Sequence, residues 1–107
     1  SDTLDEKSFR DLAGAVIDRV RAVIDADDPD VVEAVLEAGV LKVQFPTGQP
    51  FVLNLQPPLR ELWLAADRQA WHFRWDGARW IEKKHGGELY ATLRELFTAK
   101  LGRALSF

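Results

Sequence analysis

Phe9, Leu12, Ala13, Val16, Ile17, Val20 and Ile24 recur at steps of three and four, which lines them up as one apolar stripe of a helix. Thr3-Leu4-Asp5-Glu6 has the spacing of a capping box, with Thr3 as N-cap and Glu6 reaching back. Asp27-Asp28-Pro29 ends the helix. The period then drops from near 3.6 to two. Val32, Ala34 and Leu36 alternate with Val31, Glu33, Val35 and Glu37, the pattern of a short first strand. Gly39 turns into a strand over 40–45, and Pro46-Thr47-Gly48 into one over 51–56. Further strands are predicted over 61–65, 70–75 and 79–82, with Asp76-Gly77 as a hairpin signal. Trp71, Phe73 and Trp75 share the face expected under the helices, while His72 and Arg74 share the other. The pattern assigns Trp80 to neither face. Gly86-Gly87 opens a second helix, with Glu88 in its first turn, a stripe of Leu89, Leu93, Leu96 and Phe97 supported by Tyr90, and Gly102 as its stop. Leu105 and Phe107 predict an apolar tail docked on the core.

The order is helix, about five or six antiparallel strands, helix. A helix stripe and a one-sided sheet must bury each other, so the expected fold class is α+β: a two-layer α/β sandwich with both helices on one face of the sheet and the other face open.

The chain has 107 residues and a 47% apolar fraction, which suits one domain, residues 1–107, with one core. It contains no cysteine, hence no disulfide, thiolate metal site, cysteine nucleophile or conventional cysteine-ligated iron–sulfur cluster of its own. No apolar run approaches the ~20 residues of a membrane span, and the acidic start has neither a secretory h-region nor a transit-peptide bias; a cytoplasmic location is expected, without membrane contact. Ser8 and Ser106 have no G-x-S-x-G turn around them, and there is no phosphate-cradling glycine loop, so no catalytic apparatus is expected.

The net charge of −3 hides an asymmetry. Residues 1–39 hold eleven acids and four bases, and residues 40–107 hold six acids and ten bases. Such an acidic end repels nucleic acid and attracts cations or basic protein surfaces, although an ordinary solvated helix face has the same composition. Asp11, Asp18 and Asp25 are spaced by seven and stay on one helical stripe with small drift. The stripe leads into Asp27, Asp28 and Asp30, with Glu33 and Glu37 beyond, and Asp2, Asp5 and Glu6 extend it the other way. Carboxylates are hard oxygen ligands suited to hard cations. There is no H-E-x-x-H spacing, 2-His-1-carboxylate grouping or EF-hand loop, so a cation site there should be open and weak. His72 is open to three readings, as ligand, partner contact or inert surface; His85 reads as a loop residue.

Residues 54–65, Asn54-Leu55-Gln56-Pro57-Pro58-Leu59-Arg60-Glu61-Leu62-Trp63-Leu64-Ala65, are the most specific run. Asn54 and Gln56 share one strand face, Phe51 and Leu53 the other, and Pro57-Pro58 ends the strand. Glu61 and Trp63 share a face opposite Leu62 and Leu64. By pattern alone Trp63 reads as core or as an exposed anchor.

This run resembles the frataxin family, in particular its bacterial, CyaY-type members. Gly39-Val40-Leu41, His72-Phe73, Trp80-Ile81, Gly87-Glu88 and the leucine-rich second helix extend the resemblance over about residues 9–107. It implies an α/β sandwich, weak binding of Fe(II) and Fe(III) on an acidic ridge, and a role in iron–sulfur cluster assembly by docking on the cysteine desulfurase and scaffold protein and presenting iron. Carried over, the metal-binding ridge is Asp11, Asp18, Asp25, Asp27, Asp28, Asp30 and Glu33. The partner face is Asn54, Gln56, Arg60 and Trp63, with His72 beside it, and Trp63 becomes the exposed anchor. A monomer is expected. The alternative is a store or ferroxidase that oligomerises with iron. The chain departs from the family pattern at Arg10, Arg19, Arg21, Ala22 and Ala26, which thin the ridge, and at Gly86, where a serine cap is common and whose absence is expected to weaken the second helix slightly.

Overall fold

The computed structural model describes residues 4–107. The chain forms α1 (Glu6–Asp25), β1 (Glu33–Glu37), β2 (Val40–Gln44), β3 (Phe51–Gln56), a 3-10 turn (Pro57–Leu59), β4 (Glu61–Ala66), β5 (Gln69–Trp75), β6 (Trp80–Glu82) and α2 (Leu89–Leu101). The six strands make one antiparallel sheet in sequence order. Both helices cover one face of it, as the one-sided alternation requires.

The α1 stripe is as expected: Phe9, Ala13, Val16, Ile17, Val20 and Ile24 are buried. Its cap is not. Asp5 is the N-cap, accepting from the Ser8 amide at 2.7 Å, while Glu6 accepts from the Arg10 Nε one turn on. Thr3, the expected cap, lies outside the described residues. Asp5 does better where the chain turns helical, because its carboxylate satisfies an amide and meets the positive end of the helix dipole.

β1 starts later than the alternation predicts. The amides of Val31 and Val32 both donate to the Asp28 carbonyl, so the turn after α1 takes those residues and the ladder begins at Glu33. Leu36 is more exposed than its strand position suggests, because β1 is an edge strand.

Phe51, Leu53, Leu62, Leu64 and Phe73 face the helices and are buried. Trp80 joins them. It is 2% exposed and meets Phe9 edge-on, with ring centroids 5.9 Å apart. Leu105 is buried, and Phe107 stacks on Tyr90 and lies tilted against Phe97, so the tail docks as expected. Glu88 is the N-cap of α2 rather than a first-turn residue: its carboxylate accepts the amides of Tyr90 and Ala91. Gly86 is therefore not a defective cap. It holds φ +76° two residues earlier, in the loop. Gly102 ends α2 in the left-handed conformation.

Candidate functional site

The face of the sheet away from the helices carries two cross-strand rows set by register. Asn54 lies opposite Trp63, and Trp63 opposite His72. One step along, Gln56 lies opposite Glu61, and Glu61 opposite Arg74. Trp63 is half-buried, neither sealed in the core nor free. Its indole stacks on the His72 ring with centroids 4.2 Å apart and planes 8° from parallel. Asn54 and Gln56 are half-buried beside it.

Beside the rings, in the next cross-strand row, sits a carboxylate that sequence reasoning placed on this face but did not connect to anything. Glu61 is 1% exposed. Its Oε1 accepts the Trp63 Nε1–H at 2.8 Å, and its Oε2 accepts from Arg74 Nε at 2.9 Å and Lys83 Nζ at 3.0 Å. His72 Nδ1 stands 3.9 Å from Oε1, too far for a hydrogen bond. Burial pushes the Glu61 carboxyl up, but the bonds from Trp63, Lys83 and Arg74 outweigh it and hold it below its ordinary value. The only sequence signal was the two-residue step from Glu61 to Trp63. The Lys83 contact follows from pairing, since the Lys83 amide donates to the His72 carbonyl and carries the β5–β6 ladder one residue further.

Arg60, expected on the partner face, is engaged with its own chain. It adopts a left-handed conformation (φ 54°) after the 3-10 turn. Its guanidinium donates to the carbonyls of Leu4, at 2.9 Å, and Pro57, which fastens the start of α1 to the turn before β4.

The acidic residues occupy the far edge of the sandwich, on α1, the following turn and edge strand β1. Asp11, Asp18, Asp25, Asp28, Asp30 and Glu33 are exposed. Several have partners. Asp11 is bridged by Lys7 at 2.9 Å, and Arg21 lies 3.9 Å from Asp25. Asp28 accepts from the Asp30 amide. Asp27 is withdrawn from the set: Arg103 bridges both of its oxygens. That bond, with the Asp28 amide, holds the Asp27 carboxyl below its ordinary value. Arg19, in contrast, bridges no acid among the described residues; its guanidinium sits 4.5 Å over the Tyr90 ring. Among the described residues no three His, Asp or Glu side chains converge on a point that could hold a metal ion. Six of the seven expected iron ligands thus form a charged edge, with Asp27 paired to Arg103, and among the described residues no coordination cage is present. Among those residues, too, no helix is long and apolar enough to cross a membrane.

The model of the frataxin-like domain matches residues 2–103. The chain belongs to the frataxin family. Its curated relatives include the iron-sulfur cluster assembly protein CyaY of Cupriavidus taiwanensis, 40% identical over 97% of this chain and 96% of that one. The protein of the same name from Dechloromonas aromatica is 31% identical over 95% of this chain and 97% of its own. Among solved structures, the frataxin of Psychromonas ingrahamii superposes with a TM-score of 0.86 at 20% identity, covering 96% of this chain and 97% of that one. A trimeric frataxin from Saccharomyces cerevisiae, complexed with ferrous iron, superposes at 0.71 with 23% identity over 96% and 91% of the two chains. These two structures share the frataxin fold with the two-helix, six-strand sandwich described above.

Proposed function

We propose that this frataxin-family chain serves iron–sulfur cluster assembly as a docking protein without a catalytic step of its own. It engages the cysteine desulfurase and scaffold protein and brings iron to them as weakly held cargo. The observation that carries this reading is the uncovered sheet face. Both helices lie on the opposite side, so the row Asn54, Trp63 and His72 is left for a partner. The full-length likeness to proteins named for iron–sulfur cluster assembly supplies the partner class.

The two surfaces divide the work. The acidic edge of α1 and β1 suits a basic patch on the desulfurase. Exposed ion pairs contribute about 0–1 kcal/mol each, so docking needs several together, and its strength falls as salt shortens the Debye length to ~8 Å. The aromatic pair on the sheet adds shape-specific contact, since tryptophan is the residue type most often found to dominate an interface. Iron at the acidic edge relieves repulsion between neighbouring carboxylates, and the open arrangement favours weak, exchangeable binding suited to cargo. With no cysteine in the chain, sulfide and cluster ligands come from the partners. The storage or ferroxidase reading calls for convergent ligands, which the described residues do not provide.

The test is affinity for the purified desulfurase–scaffold complex across a salt series, with and without Fe(II). Affinity that drops steeply with salt supports docking through the acidic edge. Binding indifferent to salt, or no binding, overturns it.

A further inference from the structure

Among the described residues, Glu61 is the one fully buried acid on the sheet face away from the helices. A buried charge is unfavourable unless it is paired and hydrogen-bonded. Here every near neighbour that could satisfy it belongs to the proposed docking surface or its rim. The arrangement has a geometric consequence. Left to itself, a tryptophan on an open sheet samples several rotamers, and freezing them on binding weakens affinity. Trp63 is not left to itself. Its ring edge is bonded at 2.8 Å to a carboxylate, a charge-assisted bond stronger than one to a neutral acceptor, and its ring face lies flat on His72. The other carboxylate oxygen is held at 2.9 Å by Arg74 on β5 and at 3.0 Å by Lys83 just beyond β6. One side chain thus ties three neighbouring strands together at the edge of the aromatic pair.

We propose that Glu61 is a positioning residue: it fixes the Trp63–His72 stack in its binding orientation before a partner arrives. The inference deepens the docking reading and rests on it for the effect on affinity, but the orientation itself is a property of the free chain. Glu61 is 1% exposed, so its carboxylate is not itself a contact surface. Arg74 and Lys83 remain partly exposed and hold the carboxylate still from the solvent side.

Two readouts on the full chain test this. The first is the nuclear Overhauser contact between the Trp63 and His72 rings in the free protein, followed through the Trp63 indole N–H resonance. The second is affinity for the desulfurase–scaffold complex. Glu61→Ala is expected to abolish the ring contacts while leaving amide resonances of the helices in place, and to weaken binding about tenfold. On a Trp63→Ala background the same change is expected to add nothing, since there is no ring left to position. Glu61→Gln, which keeps an oxygen for the indole, is expected to keep the ring contacts and to bind within about threefold of the parent chain. Ring contacts that persist in Glu61→Ala, or a binding loss undiminished without Trp63, overturn the proposal. Should Glu61→Ala not fold, Trp63→Phe breaks the same bond from the ring side: loss of a fixed stack on His72 supports the proposal and an unchanged stack overturns it. If Trp63→Ala binds as tightly as the parent, the docking face itself is wrong, and the ring contacts alone decide the role of Glu61.

Discussion

Arg103 closes a two-pronged ion pair on Asp27, Nη1 to Oδ2 at 2.9 Å and Nη2 to Oδ1 at 2.6 Å, across 76 positions of chain. The pair latches the segment after α2 to the end of α1. It also removes one carboxylate from the acidic edge. Arg103→Ala is expected to lower Tm by roughly 1–3 °C. The sign with pH follows from the depressed Asp27 carboxyl. Its contribution is present above the ordinary carboxylate range and is lost as pH falls through the lowered folded value. Thermal melts of the parent and Arg103→Ala chains should therefore differ near neutrality and converge in acid. A gap that widens in acid would contradict the assignment.

The second helix is capped by Glu88, whose carboxylate takes the amides of Tyr90 and Ala91. Glu88→Ala is expected to destabilise the chain by about 1 kcal/mol. Installing a serine there, Gly86→Ser, is expected to destabilise rather than help, by about 1 kcal/mol, because position 86 holds φ +76°. Chemical denaturation of the two variants checks both values, and a stabilising Gly86→Ser would show that residue 86, and not Glu88, sets the start of α2.

Phe9 and Trp80 join α1 to the last strand, ring edge to ring face. Both are buried, so truncating either leaves a large cavity, and Phe9→Ala or Trp80→Ala is expected to cost about 3–5 kcal/mol. Against a total of about 5–15 kcal/mol for a natural domain, either variant should lose a large share of its stability and melt well below the parent by circular dichroism. A cooperative melt close to that of the parent would contradict the packing.

Two buried carboxylates should shape acid stability. Glu61 is held below its ordinary value by Trp63, Lys83 and Arg74 against the opposing effect of burial. Glu82 is held low chiefly by the Lys84 amide, with the His85 amide adding to it against burial. Both depressed groups stabilise the fold above the ordinary glutamate range and lose that contribution as pH falls through their folded values. Glu61→Gln and Glu82→Gln should each lower Tm at neutral pH and flatten its fall in acid. An acid limb as steep as the parent's in both variants would rule these carboxyls out as its source.

The layered sandwich was legible because its elements have opposite periods. The three- and four-residue steps from Phe9 to Ile24 and the two-residue steps from Phe51 to Gln56 each admit one face, and the structure buries those faces. Trp80 was not legible, since a three-residue strand is too short for alternation to choose a side. The caps were misread by one or two residues, because Thr3, Asp5, Gly86 and Glu88 all have plausible local chemistry and only the chain path selects among them. The candidate site was half legible. Asn54, Gln56, Trp63 and His72 follow from strand parity, and register brings Asn54, Trp63 and His72 into line. Glu61 with Arg74 and Lys83 did not, because such pairs depend on which strands neighbour each other. Arg60 and Asp27 look available in sequence but are bonded to partners 56 and 76 positions away.

The central claim is that the acidic edge and the sheet face together dock this chain on the cluster-assembly machinery. The most direct measurement is calorimetric titration of the purified desulfurase–scaffold complex with the parent chain and with Asp18→Lys/Asp25→Lys/Asp28→Lys, at low and at physiological salt. The account predicts that charge reversal weakens binding at least tenfold at low salt and removes most of its salt dependence, while the fold, judged by circular dichroism, is unchanged. Equal affinity of the two chains at both salt concentrations would contradict it.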